Sequence, residues 1–500
     1  MQQKRASRVL RNVAAMLLGQ MTTTVLSLLV TIYVPRNVGP TVVGELAIGT
    51  ILTSLLTNFM AMGVSTVIIR DVARDHAKAA DLIGAALVIK MLTALPYLFL
   101  VAAIGWLVGY SPTTQTVIAI TSVGVILAML TEPFQSGFQA FERMKYNSLT
   151  GVIAEFIVVI GSVTVVVAGK GAIWLSTITI ISGLVTLFLS IRWWRSLGSV
   201  NLRFNFKLMR YLLTRGFPFW ASGLFTSVYL LVDSFMLSVI ATDEVVGWYN
   251  VPTVLFGFLL FVPTTVGMAI FPALARAYKH APREMVKLAR RSFNLITCLS
   301  LPIAVGGGLL SKQIILTLYG LKFGPSIPIM TVLSAMAVPM YINIQVYQFL
   351  AAAERQVIWT KVMAVACVLN PLMNLFLINY YQVHHQNGAY GAAWAMFLSE
   401  GLMAVVGIVL LPRGILGWEN IVSIVKSAAA AGFMALAVWY TQGYFIAIPI
   451  VTGIVVYAGA VFLLGVLPRE ELELLQMIGT KILSKFGRRR TMPQADAKVI

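Results

Sequence analysis

A carboxylate at the centre of an apolar helix costs about 2.5–3.5 kcal/mol, and such residues mark polar pathways or charge relays. Asp233 is one: FPFWASGLFTSVYLLVDSFMLSVIA sets it among residues that suit lipid. Ser222, Thr226, Tyr229 and Asp233 follow one another at helical spacing and share one face. Similar polar stripes run through Gln20, Thr24, Ser27 and Thr31, through Thr50, Ser54 and Asn58, and through Ser148, Gly151, Glu155 and Ser162. Two more join Ser334, Tyr341, Gln345 and Gln348, and Cys367, Asn370 and Asn374. Such stripes can line a hydrated path for a polar headgroup or a coupling cation. They can equally be helix-to-helix hydrogen bonds worth ~0.6–2 kcal/mol each. The charged members Asp233, Glu155, Glu400 and Lys90 favour the first reading, although Glu400 stands near a helix end and Lys90 could snorkel to an interface. Arg36 and Arg70 flank the first two spans, where a headgroup anchor is the default role.

The elements that must carry these residues are membrane helices. The chain has 500 residues, 59% hydrophobic and 11% charged, against about 25% charged in soluble domains. Its apolar residues come in runs of roughly 20, each able to cross the hydrocarbon core. Without alternating β-barrel patterning, the spans must be helical. Fourteen are expected. Placing both termini in the cytoplasm puts 32 of the 37 Lys and Arg on the cytoplasmic side, four outside and Lys90 within a span. The net charge of +19 therefore reads as topology, with no nucleic-acid partner. The basic start MQQKRASRVLRNVAAMLLGQ reads as an uncleaved first span, since no A-x-A-like site follows.

Several functions are excluded. Cys298 and Cys367 lie in separate spans, and His76, His280, His384 and His385 are scattered, so no metal spacing exists. No Walker A loop, G-x-G-x-x-G, G-x-S-x-G or H-E-x-x-H is present. The chain reads as neither an ATP-driven pump nor an enzyme, with no cofactor beyond an H⁺ or Na⁺ coupling ion.

The two halves echo each other. VVGELAIGTILTSLLTNFMAMGVSTVIIRDVAR (42–74) matches VVGWYNVPTVLFGFLLFVPTTVGMAIFPALAR (245–276), with Gly44 on Gly247. Glu142–Arg143 matches Glu354–Arg355, and Gly171-Ala-Ile-Trp174 matches Gly391-Ala-Ala-Trp394. The offset near Gly44 corresponds to six spans, so the repeat is parallel, a layout of secondary transporters that bind between the halves. The expected organisation is a six-helix bundle over 1–195, a cytoplasmic linker over 196–211, a second six-helix bundle over 212–411 and spans 13 and 14 within 412–467. An interfacial helix and basic tail follow over 468–500. ARAYKHAPREMVKLARRS, after span 8, reads as an amphipathic helix on the inner leaflet, with Met285, Leu288 and Ala289 opposite its cations, or as a solvated anchor.

The pattern RNVAAMLLGQ…VPRNVGPTVVGELAI…MGVSTVIIRDVAR, with VDSFMLS…VVGWYNVP…FVPTTVGMAIFPALAR in the second half, resembles the polysaccharide-exporter branch of the MOP superfamily, the Wzx-type flippases. The resemblance covers roughly residues 8–467. It implies an all-α, MATE-like fold of two parallel six-helix bundles plus two C-terminal helices in the plasma membrane. It also implies transfer of undecaprenyl-diphosphate-linked oligosaccharide from the inner to the outer leaflet by alternating access, with Asp233 or Glu155 coupling the ion. Its partners would be the lipid-linked sugar, the phospholipid bilayer and polysaccharide-assembly proteins. A lipid II flippase and a multidrug exporter of the same superfamily are the alternatives; the first would call for a more Arg-rich lumen, the second for an acidic, aromatic one.

Overall fold

Proline and glycine set where these apolar runs start, break and stop. The computed structural model describes residues 2–412 and 414–466, with side chains from Gly19 onward except Pro282. The expected tail over 468–500 lies outside the described residues. Sixteen α-helices follow in order, with no strand among the described residues. The first half holds α1 (Gln2–Val38), α2 (Pro40–Ala61), α3 (Val64–Arg74), α4 (Ala79–Val108), α5 (Pro112–Ala140), α6 (Met144–Val167) and α7 (Ala172–Trp194). The second half holds α8 (Phe206–Ile240), α9 (Asp243–Leu259), α10 (Phe261–His280), α11 (Pro282–Tyr319), α12 (Ser326–Ala352), α13 (Gln356–His385) and α14 (Gly388–Leu410). The last two helices are α15 (Trp418–Thr441) and α16 (Ala447–Leu463). Each of the fourteen expected spans falls on helix, and among the described residues twelve stretches are long and apolar enough to cross a membrane. The chain is an all-helical, multi-pass membrane protein.

Span 2 ends at a break between α2 and α3, and span 8 is itself two helices. Between α2 and α3, Met62 and Gly63 take left-handed φ values of 47° and 65°. At Gly63 a side chain would meet the Gly216 carbonyl oxygen at 2.2 Å, so close approach as well as φ requires glycine. Between α9 and α10 the break is at Leu260. Pro263 lacks the N–H that would bond back to Leu259, which favours a break there. The basic segment after α10 is not a separate surface helix. His280 ends α10, and α11 then runs unbroken from Pro282 through the membrane. Met285 and Ala289 are buried, whereas Arg283 and Lys287 are exposed.

The internal repeat is visible in the backbone. Glu142 and Glu354 both have positive φ, 55° and 57°. The following N–H groups close the same turn: Arg143 to the Phe138 carbonyl and Arg355 to the Leu350 carbonyl, both at 2.8 Å. The two matched glycines touch reciprocally. A Cβ on Gly44 would stand 1.6 Å from the Asp243 carbonyl oxygen, and one on Gly247 would stand 2.0 Å from that of Pro40. Pro40 and Asp243 each precede their glycine by one helical turn, so α2 and α9 cross along a local two-fold axis.

The residues pack into two compact units, and the division does not follow the repeat. One unit takes the chain up to Leu259 together with Ser311–Leu333 and Met363–Ser399; the other takes Leu260–Leu310, Ser334–Val362 and the chain from Glu400. In the first unit a core forms near the linker, where α4 begins and α5 and α7 end. Trp194, 1% exposed, packs there against Phe134, Phe138 and Phe141 with ring centroids 5.6–6.4 Å apart. In the second unit α15 and α16 pack on each other and on α11, where Tyr457 donates to the Cys298 carbonyl at 2.6 Å.

Candidate functional site

Asp233 lies deep in α8 and is 3% exposed. The stripe that leads to it changes along the helix: Ser222 and Thr226 are exposed, Tyr229 is half-buried and Asp233 is buried. Asn374 of α13 donates its carboxamide N–H to Asp233 Oδ1, and also to the Asn370 carbonyl at 3.1 Å and to Asn370 Oδ1 at 2.9 Å. Asn370 Nδ2 in turn donates to Ser399 Oγ of α14 at 3.3 Å. Tyr249 of α9, 2% exposed, lies within electrostatic reach of the carboxylate. Pro371 falls between the two asparagines and removes one intrahelical donor from that turn of α13. Four helices of one compact unit thus bring together a carboxylate, two carboxamides, a hydroxyl and a phenol. Asn374 Oδ1 is buried and accepts no hydrogen bond from the protein.

This donor set is suited to holding a small hard cation or a proton. Carboxylate, carboxamide and hydroxyl oxygens are the ligands hard cations prefer. The orphaned Asn374 oxygen is an acceptor buried without compensation, which a bound cation would satisfy. Among the described residues no group of three His, Cys, Asp or Glu side chains could hold a transition metal.

Lys90 lies elsewhere and is fully buried. Its ammonium donates to the Met60 carbonyl at 2.7 Å, to the Ala61 carbonyl at 3.2 Å and to Glu132 Oε2 at 2.8 Å. It therefore caps the broken end of α2, where helix carbonyls are orphaned and the dipole favours a cation. Sequence reasoning did not single out Glu132, because TEPF at the end of a span gives no sign of a partner 42 positions away.

The other singled-out residues are dispersed. Asn58 donates to Ser227 Oγ of α8 at 2.8 Å. Arg36 reaches the Thr317 carbonyl at 2.5 Å. Glu155 is half-buried on α6, and Gln20 is exposed on α1. In the other unit, Gln345 donates to Ser292 Oγ at 2.9 Å; Glu400, expected near a helix end, instead lies buried in the middle of α14, where Asn343 donates to its Oε2 at 2.7 Å. Arg70 lies on α3, outside the spans, with its Nε 2.8 Å from Asp71 Oδ1. Tyr211 also donates to Asp71, at 2.8 Å. Burial pushes the Asp71 carboxyl up, but the Arg70 and Tyr211 hydrogen bonds outweigh it and hold the group below its usual range.

At the opposite end of the bundle Asp243 joins the two halves. Thr114 donates to Asp243 Oδ2 at 2.9 Å and Ser111 at 3.3 Å, while Tyr110 and Ser238 share a hydrogen bond of 2.7 Å. Burial first, and the Asp243 charge second, raise the Tyr110 phenol above its ordinary pKa.

Comparison with known proteins places the fold. Structures of related fold include the lipid II flippase MurJ in an inward closed conformation, with a TM-score of 0.71 at 15% identity over 89% of this chain and 97% of that one. A multidrug resistance MATE family transporter of the MOP superfamily, in an inward-facing conformation, gives 0.63 at 12% identity over 81% and 96%. These likenesses establish a shared fold. "Probable flippase AglR" of Haloferax volcanii is 24% identical over 246 residues, 48% of this chain and 50% of that protein. The chain thus spans about half the length of that curated relative. The model of the family described as polysaccharide biosynthesis protein matches residues 9–278, from the first span through the broken span 8. That is more than half of the sequence, and it takes in the repeat contact and Asp233: the chain belongs to the polysaccharide biosynthesis protein family.

Proposed function

We propose that the protein is a flippase that carries lipid-linked oligosaccharide units from the inner to the outer leaflet of the plasma membrane, for assembly of a cell-surface polysaccharide. The family match over residues 9–278 is the observation that carries this reading. The probable-flippase relative and the MOP-type fold support it. Both termini lie in the cytoplasm, in keeping with the 32-to-4 bias of basic residues. The sugar diphosphate needs a hydrated path, while its isoprenoid tail remains in lipid.

Transport proceeds by alternating access and is coupled to a cation, H⁺ or Na⁺, held at Asp233 with Asn370, Asn374 and Ser399. The cation supplies the driving force through its gradient. The protein's part is to keep the carboxylate desolvated and to offer carboxamide and hydroxyl oxygens around it, so that protonation or cation binding changes the net charge of a buried cluster.

Depletion in the native host tests the reading. Lipid-linked sugar should accumulate on the cytoplasmic leaflet. Raised drug sensitivity with normal lipid-linked sugars would instead make the protein a multidrug exporter, and accumulation confined to the peptidoglycan precursor would make it a lipid II flippase.

A further inference from the structure

In the first bundle, α4 and α7 both pack along α5 but scarcely on each other. The slot between them forms a cavity of about 370 Å³ lined by Leu87 and Met91 of α4, Leu130 and Phe134 of α5, and Leu187, Ile191 and Trp194 of α7. Arg195 and the first residues of the linker line its basic end. Met91 is 53% exposed, and the same helix exposes Leu95 and Phe99 further along, so the slot opens at the lipid-facing side within the spans.

The repeat sets α4 beside a counterpart in the second half. Span 3 corresponds to span 9, so α4 corresponds to α11. On α11, Asn294 and Cys298 lie about one helical turn apart. Those two residues are where the additional helices dock: Asn420 of α15 donates to Asn294 Oδ1 at 2.7 Å, and Tyr457 of α16 to the Cys298 carbonyl. The second bundle thus covers one face of α11 with protein, whereas its counterpart α4 leaves Met91, Leu95 and Phe99 exposed. The slot is narrow, apolar and open to lipid, a shape suited to a single acyl chain. Arg195 at the mouth matches a phosphate.

We propose that the slot between α4 and α7 is a binding site for an anionic phospholipid of the leaflet on the basic side, with one acyl chain between Leu87, Met91, Leu130 and Leu187 and its phosphate on Arg195. This site is separate from the Asp233 cluster and does not depend on what the protein transports.

The test uses the full chain in phosphatidylcholine nanodiscs doped with photoreactive phosphatidylglycerol carrying a diazirine in its acyl chain, with labelled peptides mapped by mass spectrometry. Labelling should concentrate on the peptides holding Met91, Leu130 and Leu187, and Met91→Trp, which fills the slot, should lower it at least fivefold. Leu187→Phe is a smaller filling change that should act in the same direction if Met91→Trp fails to fold. Arg195→Gln should lower the preference for phosphatidylglycerol over photoreactive phosphatidylcholine about fivefold, the equivalent of one cation near a membrane surface. Labelling spread evenly over the lipid-facing helices, or unchanged in the filled variants, overturns the proposal. So does suppression by polyprenyl phosphate at lower concentrations than by unlabelled phosphatidylglycerol, or cross-linking of the slot to a second protein chain.

Discussion

Lys90 and Asp233 are both nearly inaccessible charges in membrane spans, yet their surroundings differ in kind. Lys90 meets a carboxylate and two helix-end carbonyls, all of which favour the ammonium. Nothing is gained by its leaving, and the group works as a fixed joint that holds the end of α2. Asp233 meets Asn374, whose carboxamide can present either a donor or an acceptor by turning half a revolution. Asn370 and Ser399 extend this adaptable set. Buried charge thus has two uses here: one rigidifies a broken helix, and the other can change its protonation or ligation while its neighbours reorient.

Substitutions can break this contrast or sharpen it. Asp233→Asn should abolish coupled transport, a loss of tenfold or more in a leaflet-transfer assay, with insertion and thermal stability close to wild type. Unaltered transport by that variant at every pH would remove Asp233 from the mechanism. Glu132→Gln should act the other way, costing ~2–3 kcal/mol because Lys90 is left buried without its counter-charge. Lys90→Met combined with Glu132→Gln should recover most of that loss in thermal unfolding, and a double variant as unstable as the single would deny the joint its role. Gly44→Ala should cost ~1–3 kcal/mol by driving a methyl into the Asp243 carbonyl; a melting temperature equal to wild type would show that α2 and α9 separate freely. The smallest effect belongs to Asp71, a charge outside the spans. Its folded carboxyl is held below the unfolded value, so its contribution is present near neutral pH and fades as pH falls through the carboxylate range. Asp71→Asn should cost under about 1 kcal/mol at neutral pH, and the difference from wild type should vanish in acid.

Much of this was legible in the sequence because each feature is local. Runs of apolar residues give the spans, and the repeat needs only ordered matches. Asp233 is conspicuous wherever its span begins. Its pairing with Asn374 was not legible, since 141 positions separate them and only the relative register of α8 and α13 makes them meet. Glu132 and Asn343 were missed for the same reason: each is ordinary in its own helix and matters through a residue on another. The amphipathic segment after α10 was misjudged because its charge pattern fits a surface helix as well as the entry turns of a span. Only the packing of Met285 and Ala289 distinguishes the two.

The reciprocal fit of Gly44 on Asp243 and Gly247 on Pro40 has a historical consequence. A patch that meets its own copy across a two-fold axis is the signature of an isologous dimer interface. Two separate six-helix subunits could have made this same crossing, and any substitution in their single gene would have been felt twice, once on each side. Joined in one chain, the two sides are free to change singly. One can keep a carboxylate in its first helix while the other keeps only hydroxyls and amides, with the crossing itself preserved as a record of the pair.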